Sequence, residues 1–296
     1  MGLNIVVPDK SMENRVKELF QKAGLPINLA ERSNIGSVEA QWINQVVFER
    51  PQEIPDLMAE GLFDAAIVGE DWLADWGFSF PTLLSMAIGR EKNRAVKIVM
   101  AVPEKSPVKA PIDLPIGSKV STEYVRLALK LFSGLGRNDI IVKPSCGNTE
   151  AKIRYGISGI IDVTETGKSL KANGLKVIHT LMESNTLVIA NPASLKNEKK
   201  RPKIKWFARL IEGAYVAITY MGIVANVPEK LVDQAAEIIG GLKGPTCAPL
   251  WAKGWYSLSS IVPKEEWDKI SYRLLEIGVD DIIPTWDIPC VMRSKL

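Results

Sequence analysis

Histidine is almost missing from this chain: His179 stands alone among 296 residues. A histidine-based catalytic triad or a multi-histidine metal site is therefore excluded within one chain, and His179, just after an apolar run, reads as structural. Cysteine is scarce as well. The three present, Cys146, Cys247 and Cys290, are too scattered for a zinc pattern or a secreted disulfide framework. Charge of one sign is also lacking. Thirty-seven Lys and Arg face 34 Asp and Glu, a net charge of +3, too balanced to argue for nucleic acid while leaving room for a local basic patch. No uninterrupted apolar run reaches the ~20 residues of a membrane helix, and the chain opens on a strand rather than a signal peptide. A cytoplasmic protein with neither a nucleic-acid nor a membrane partner is expected.

What is present is an alternation of short apolar runs, polar loops and helical stretches, the pattern of an α/β fold. Strands are expected at Leu3 to Pro8, Val46 to Phe48 and Phe63 to Gly69, with helices behind them that stop at Gly24, Gly61 and Gly77. Asp9 or Ser11 is the expected cap of the first helix. After a strand from Ala95 to Pro103, prolines at 107, 111 and 115 mark a change of lobe. Leu187 to Ala190 reads as a strand returning to the first lobe. The expected division is a first lobe of residues 1–103 plus about 187–212, a second lobe of 104–186, and a separate unit of 213–296. That last unit follows a βαββαβ-like order, which suits a small ferredoxin-like module for regulation or assembly. A cleft between two α/β lobes is the default ligand site.

The chemistry is placed between Asp162 and Leu175. Ile157, Ile160, Ile161 and Val163 make a buried strand that runs into Asp162 and Glu165, then into Thr166-Gly167-Lys168-Ser169. A loop at the carboxyl end of a strand, with a helix behind it, seats phosphate through backbone N–H groups, hydroxyls and a lysine. The two carboxylates beside it suit ribose hydroxyls or a metal ion. The same residues also fit a turn that binds nothing. Arg50 at a strand end suits a phosphate fork or a surface cap. Lys10 is an anion contact or an ordinary loop lysine, and Asp71 a ligand or only a helix cap. Gly147-Asn148-Thr149 before Glu150 is an anion cradle or a helix cap.

Taken together, these stretches resemble the ATP phosphoribosyltransferase family, the first enzyme of histidine biosynthesis. Asp162 to Leu175 is similar to its phosphoribosyl-pyrophosphate loop, and Phe48-Glu49-Arg50-Pro51-Gln52-Glu53-Ile54-Pro55 to its Phe-Ala-Arg-Pro-Gln-Asp-Ile-Pro segment. Asp64 to Asp71 resembles Asp-Leu-Gly-Ile-Thr-Gly-x-Asp, and Cys146 to Glu150 falls at its Gly-Ser-Val-Glu. Gly244-Pro245-Thr246, Trp255, Gly278 and Ile282-Ile283 resemble the C-terminal domain of the long form.

The resemblance implies two periplasmic-binding-protein-like (type II) lobes and a ferredoxin-like (ACT-like) regulatory domain. It implies transfer of the phosphoribosyl group of phosphoribosyl pyrophosphate to N1 of ATP, with Mg²⁺ present, in a homo-oligomer (dimer to hexamer) inhibited by histidine. It assigns Thr166, Gly167, Lys168, Ser169 and Leu170 to the 5′-phosphate, and Asp162 and Glu165 to the ribose. Lys10, Ser11, Arg50, Asp71, Gly147, Asn148 and Thr149 fall to the nucleotide and pyrophosphate side. Arg50, Asp162 and Glu165 are the catalytic candidates, and metal ligands are left unassigned. The chain departs from the family at Ser169, which replaces a threonine, between Gly156 and Asp162, where it is one residue shorter and lacks an aspartate, and at two further stretches. Asp9-Lys10-Ser11 replaces Lys-Gly-Arg, and Ser118 to Tyr124 lacks an arginine and carries Glu123 in place of a basic residue. A phosphoribosyltransferase with another acceptor and a non-catalytic ligand-binding protein are the competing readings.

Overall fold

Apolar β-branched runs set the strands of the first sheet. Ile5, Val6 and Val7 in Leu3–Pro8 (β1) and Ala66, Ile67 and Val68 in Ala65–Gly69 (β5) have no exposed surface, as strands covered on both faces require. The computed structural model describes residues 2–31, 33–89, 93–241, 244–279 and 281–285; Trp286 and Cys290 lie outside the described residues. After β1 come a 3₁₀ turn at Lys10–Met12, α1 (Glu13–Lys22), β2 (Ile27–Leu29), β3 (Ile35–Val38), β4 (Ile43–Glu49) and α2 (Ile54–Ala59). Asp9 caps the 3₁₀ turn only by position: its side chain makes no capping bond, and Ser11 lies inside the turn. Beyond β5, α3 (Glu70–Trp76) ends on Gly77 at φ 73°, and β6 (Thr82–Met86) follows. The seven-stranded sheet runs β2-β3-β4-β1-β5 and then takes in a later strand, β12, and β6.

The second sheet is built from β7 (Val96–Pro103), β8 (Lys119–Thr122), β9 (Ile141–Pro144), β10 (Gly159–Thr164) and β11 (Leu175–Ser184), in the order β11-β7-β10-β8-β9. Helix α4 (Val125–Gly134) follows β8, and the short α5 (Lys168–Ala172) follows β10. Strand β7 hydrogen-bonds between β11 and β10, although a boundary at residue 103 puts it with the first lobe. The prolines that suggested the boundary come after the strand, whereas the chain crosses before it, between β6 and β7. It returns through β12 (Thr186–Ala190), antiparallel to both β5 and β6. This is the two-lobed, periplasmic-binding-protein-like arrangement.

One apolar cluster joins the two sheets, with Val6, Val68 and Leu73 from one side and Met100, Val120 and Phe132 from the other. A polar seam runs beside it. Asp75 of α3, only 5% exposed, accepts a hydrogen bond from the Leu127 N–H in the first turn of α4 at 2.8 Å. The Arg126 guanidinium lies over the Trp76 ring, 3.8 Å from its centroid. Asp64, before β5, accepts from Asn4 N, Ser194 Oγ and Lys200 Nζ, fastening the start of the sheet to α6 (Pro192–Lys196) and the segment ahead of α7 (Arg201–Thr219).

By contact density, the described residues of 1–17 and 27–208 form one compact unit, and those of 18–26 and 209–285 another. The second contains β13 (Tyr220–Pro228), α8 (Val232–Ile239), β14 (Thr246–Pro249), β15 (Trp255–Pro263), α9 (Trp267–Glu276) and β16 (Asp281–Thr285). Its antiparallel sheet has the order β14-β15-β13-β16. Numbered within the unit, that is second, third, first, fourth, the ferredoxin-like order. Ile223, Ala225, Leu258 and Val262 pack there against Ile239 and Leu274. Strand β13 begins at Tyr220, because Ala214 and Ala217 are buried helix formers that extend α7 to Thr219. Among the described residues no helix is long and apolar enough to cross a membrane.

Burial raises the Asp75 carboxyl above its ordinary 3.8, outweighing the Leu127 N–H and the Arg126 charge that lower it. A raised folded pKa contributes stability that is complete below the unfolded value and lost as pH rises through the folded one. Asp75→Asn removes that titration. Urea denaturation at stepped pH should then show a shallower loss of stability above about pH 4 in the variant. Superimposable pH slopes would contradict it.

Candidate active site

The candidate residues gather along the seam between the two sheets, in a row of adjoining cavities. At one end β10 delivers Asp162 and Thr164, and the chain turns through Glu165, Thr166 and Gly167 into α5. Gly167 takes φ 73°, in the left-handed region that favours glycine. The loop is braced by its own hydroxyls: the Gly167 N–H donates to Thr164 Oγ1 at 2.9 Å and the Lys168 N–H to Thr166 Oγ1 at 3.3 Å. Glu165, Thr166, Lys168 and Ser169 line one cavity together with Glu150 and Thr164. Gly167 opens on the neighbouring one, where Arg94 and Lys97 add two cations that the sequence did not single out. Arg94 precedes a strand and Lys97 sits within one, positions that carry no motif.

Three expectations change here. Leu170, expected at the 5′-phosphate, is 2% exposed and packs with Val99, Ala101, Ile160 and Leu175; its side chain is core. The Glu150 carboxylate caps no helix and instead accepts from Ser169 Oγ at 2.6 Å, tying the loop to the turn before it. In the Gly147-Asn148-Thr149 turn, the Gly147 N–H already donates to Glu123 Oε1 at 2.5 Å, and buried Thr149 donates its hydroxyl to Ser145 Oγ. A carboxylate of the chain itself therefore holds one donor of the expected anion cradle. Asn148 still lines a cavity with Asp162, Tyr124 and Glu150.

On the other flank, β1 and β4 end side by side and place Lys10, Ser11 and Arg50 around a cavity that also touches Gly147. Positive and negative side chains alternate there. The Arg50 guanidinium lies 3.5 Å from Asp9, and Glu49 is lifted above the ordinary carboxylate range by burial and by Glu53 and Asp9. Arg50 is 46% exposed, within reach of an incoming anion but already facing a carboxylate.

Asp71 lies between these two flanks, 4% exposed at the second position of α3. It is neither a cap nor an open ligand. Its Oδ2 accepts from the Tyr124 hydroxyl at 2.6 Å and its Oδ1 from Ser184 Oγ at 2.6 Å, while its own N–H donates to Ser184 Oγ at 3.0 Å. Trp72 stacks on Tyr124 with centroids 4.4 Å apart. Tyr124 and Ser184 are site residues that the sequence concealed, since each becomes meaningful only once β8 and β11 are brought beside α3. Ser11, Asp71, Trp72, Tyr124 and Val163 line the central cavity, which joins the two flanks.

Among the described residues no group of three or more His, Cys, Asp or Glu could hold a metal ion. Two separate carboxylates, Asp162 and Glu165, flank the loop. That donor set fits Mg²⁺ carried in by substrate phosphates, a common way for this ion to bind, and does not fit a dedicated protein cage.

Comparison with known proteins agrees with this geometry. The ATP phosphoribosyltransferase family model matches residues 50–213, and the model of that family's C-terminal domain matches residues 217–285. ATP phosphoribosyltransferase 1 of Geobacter sulfurreducens is 35% identical over 95% of this chain and 96% of its own length. The ATP phosphoribosyltransferase of Trichlorobacter lovleyi is 34% identical, again over 95% and 96%. A chain of the ATP phosphoribosyl transferase (HisG:HisZ) complex from Thermotoga maritima superposes with a TM-score of 0.61 at 22% identity, over 72% of this chain and 98% of that one, a likeness of fold. With both family models matched in succession, the chain belongs to the ATP phosphoribosyltransferase family in its long form.

Proposed function

We propose that the seam between the two sheets is where this chain carries out the family's reaction, the first step of histidine biosynthesis. The observation that carries the reading is the Thr164–Ser169 loop. Its hydroxyls and Lys168 share a cavity with Glu165, next to Asp162 and the central cleft. The reaction joins N1 of the ATP adenine to C1 of the phosphoribosyl group. The C1–O bond breaks as N1 adds its lone pair, and the bonding electrons leave with pyrophosphate.

In this reading Thr166, Gly167, Lys168 and Ser169 hold the 5′-phosphate, with Leu170 serving only as packing beneath them. Asp162 and Glu165 receive the ribose hydroxyls and face the positive charge that develops at C1. Lys10, Ser11 and Arg50, with Asn148 opposite, take the nucleotide and pyrophosphate. Asp71 acts through Tyr124 and Ser184 as a positioning residue. Mg²⁺ supplies charge neutralisation on the departing pyrophosphate when bound. Most of the rate enhancement then comes from orienting N1 against C1 in a braced cleft. The second unit, with its ferredoxin-like sheet, suits assembly from dimer to hexamer and feedback inhibition by histidine. The reaction belongs to a cytoplasmic enzyme.

Pyrophosphate release should be measured from phosphoribosyl pyrophosphate and Mg²⁺ with a panel of acceptors. ATP is expected to give the N1-phosphoribosyl adduct. Turnover with another acceptor but not ATP would replace this reading with a repurposed transferase, and absence of binding and turnover would replace it with a non-catalytic one. Glu165→Gln should lower turnover at least about tenfold, the scale of a lost charged hydrogen bond, and an unchanged rate would remove Glu165 from the reaction. Leu170→Ala should act differently. It should cost about 2–5 kcal/mol of stability in denaturant melts while leaving KM for phosphoribosyl pyrophosphate within about twofold, and the reverse pattern would restore Leu170 as a ligand.

A further inference from the structure

Gly89 lies on the first-sheet side of the central cavity, a few residues beyond β6. It is buried, and the segment leading to it is fixed. The neighbouring Ile88 is 2% exposed, its N–H donates to the Met86 carbonyl at 2.9 Å, and its own carbonyl accepts from Thr186 Oγ1 at 2.8 Å. The backbone of Gly89 does not itself demand glycine, because its φ is not in the left-handed region. What demands it is a neighbour. A Cβ built at position 89 would lie 2.5 Å from Glu165 Oε1, 2.6 Å from its Cδ and 3.0 Å from its Oε2.

All three nearest atoms belong to one carboxyl group, so the end of the Glu165 side chain rests against the bare α-carbon of Gly89. Gly159 makes a useful contrast: a Cβ there would press on the Ala101 carbonyl, Met100 and Val102, within the second sheet. That is a packing glycine. At position 89 the three nearest atoms are all at the tip of a side chain assigned to the reaction.

We propose that Gly89 is a positioning residue for phosphoribosyl transfer, its missing side chain providing the seat that holds the Glu165 carboxylate against the cleft. The proposal rests on the role given to Glu165 above. A methyl group at position 89 requires the carboxylate oxygen to retreat from 2.5 Å to an ordinary contact of about 3.4 Å. A shift of about 1 Å at a reacting group is enough to cost up to about a hundredfold in rate. Because the Glu165 side chain can rotate away, the fold should absorb the change while the site does not.

The test is a double-mutant cycle of Gly89→Ala and Glu165→Gln, following the N1-phosphoribosyl adduct of ATP and the thermal midpoint of each variant. Gly89→Ala is expected to lower kcat by roughly 10- to 100-fold with its midpoint within about 2 °C of the parent. The double variant is expected to be no slower than Glu165→Gln alone, within about twofold. If Glu165→Gln turns over normally, the role of Glu165 fails and the proposal falls with it. If Glu165→Gln is slow but Gly89→Ala keeps the parent rate, or the two losses multiply, the seat alone is overturned. A midpoint lowered by more than about 5 °C in Gly89→Ala would make position 89 structural and overturn it as well.

Discussion

A single buried carboxylate ties the two sheets of the first unit together. Asp71 is placed by the start of α3, directly after a central strand of one sheet, and is satisfied by a hydroxyl from each of two segments tied to the other sheet, Tyr124 after β8 and Ser184 at the end of β11. A buried polar group is costly when its hydrogen-bond partners are lost, so those two hydroxyls cannot be withdrawn cheaply. Trp72 on Tyr124 and Asp75 on the first turn of α4 lie along the same line of contact. Opening the seam would break all three at once, and the spacing between the Thr164–Ser169 loop and the Arg50 flank depends on them.

That arrangement also sets the electrostatics of the cleft. The chain engages donors of the cleft with its own carboxylates: Asp9 faces the Arg50 guanidinium, Glu123 accepts from the Gly147 N–H, and Glu150 accepts from the Ser169 hydroxyl. Any anion that enters the cleft must compete with these internal partners. Asp9 and Glu123, at two of the altered stretches, are thus engaged with donors of the chain itself and are more than simple losses of positive charge.

Much of the fold was legible because its strong signals are local. The β-branched runs at β1, β5 and β10, the glycine stops at 24, 61 and 77, and the βαββαβ order of the second unit each depend on a few adjacent residues. The short strands β2, β3, β6 and β14 escaped notice because they mix polar and apolar residues and owe their state to a partner strand. The Thr164–Ser169 loop was legible as a candidate site through its residue types, whereas Leu170 looked like part of the motif until its burial became apparent. Asp71 was read as a ligand or a cap because its two hydroxyl partners lie 53 and 113 positions away in the chain.

The place of β12 has a consequence for how the protein is made. Among the described residues strand β6 pairs in its sheet with β12 alone, and β12 begins some 100 residues after β6 ends, once the whole second sheet has been threaded. A ribosome adding ~5–20 residues per second leaves β6 exposed for roughly 5–20 s before its partner is synthesised. The first lobe therefore cannot close during its own translation and must wait for the second. In the newborn chain, Thr82 to Met86 is an open edge that a chaperone has reason to cover.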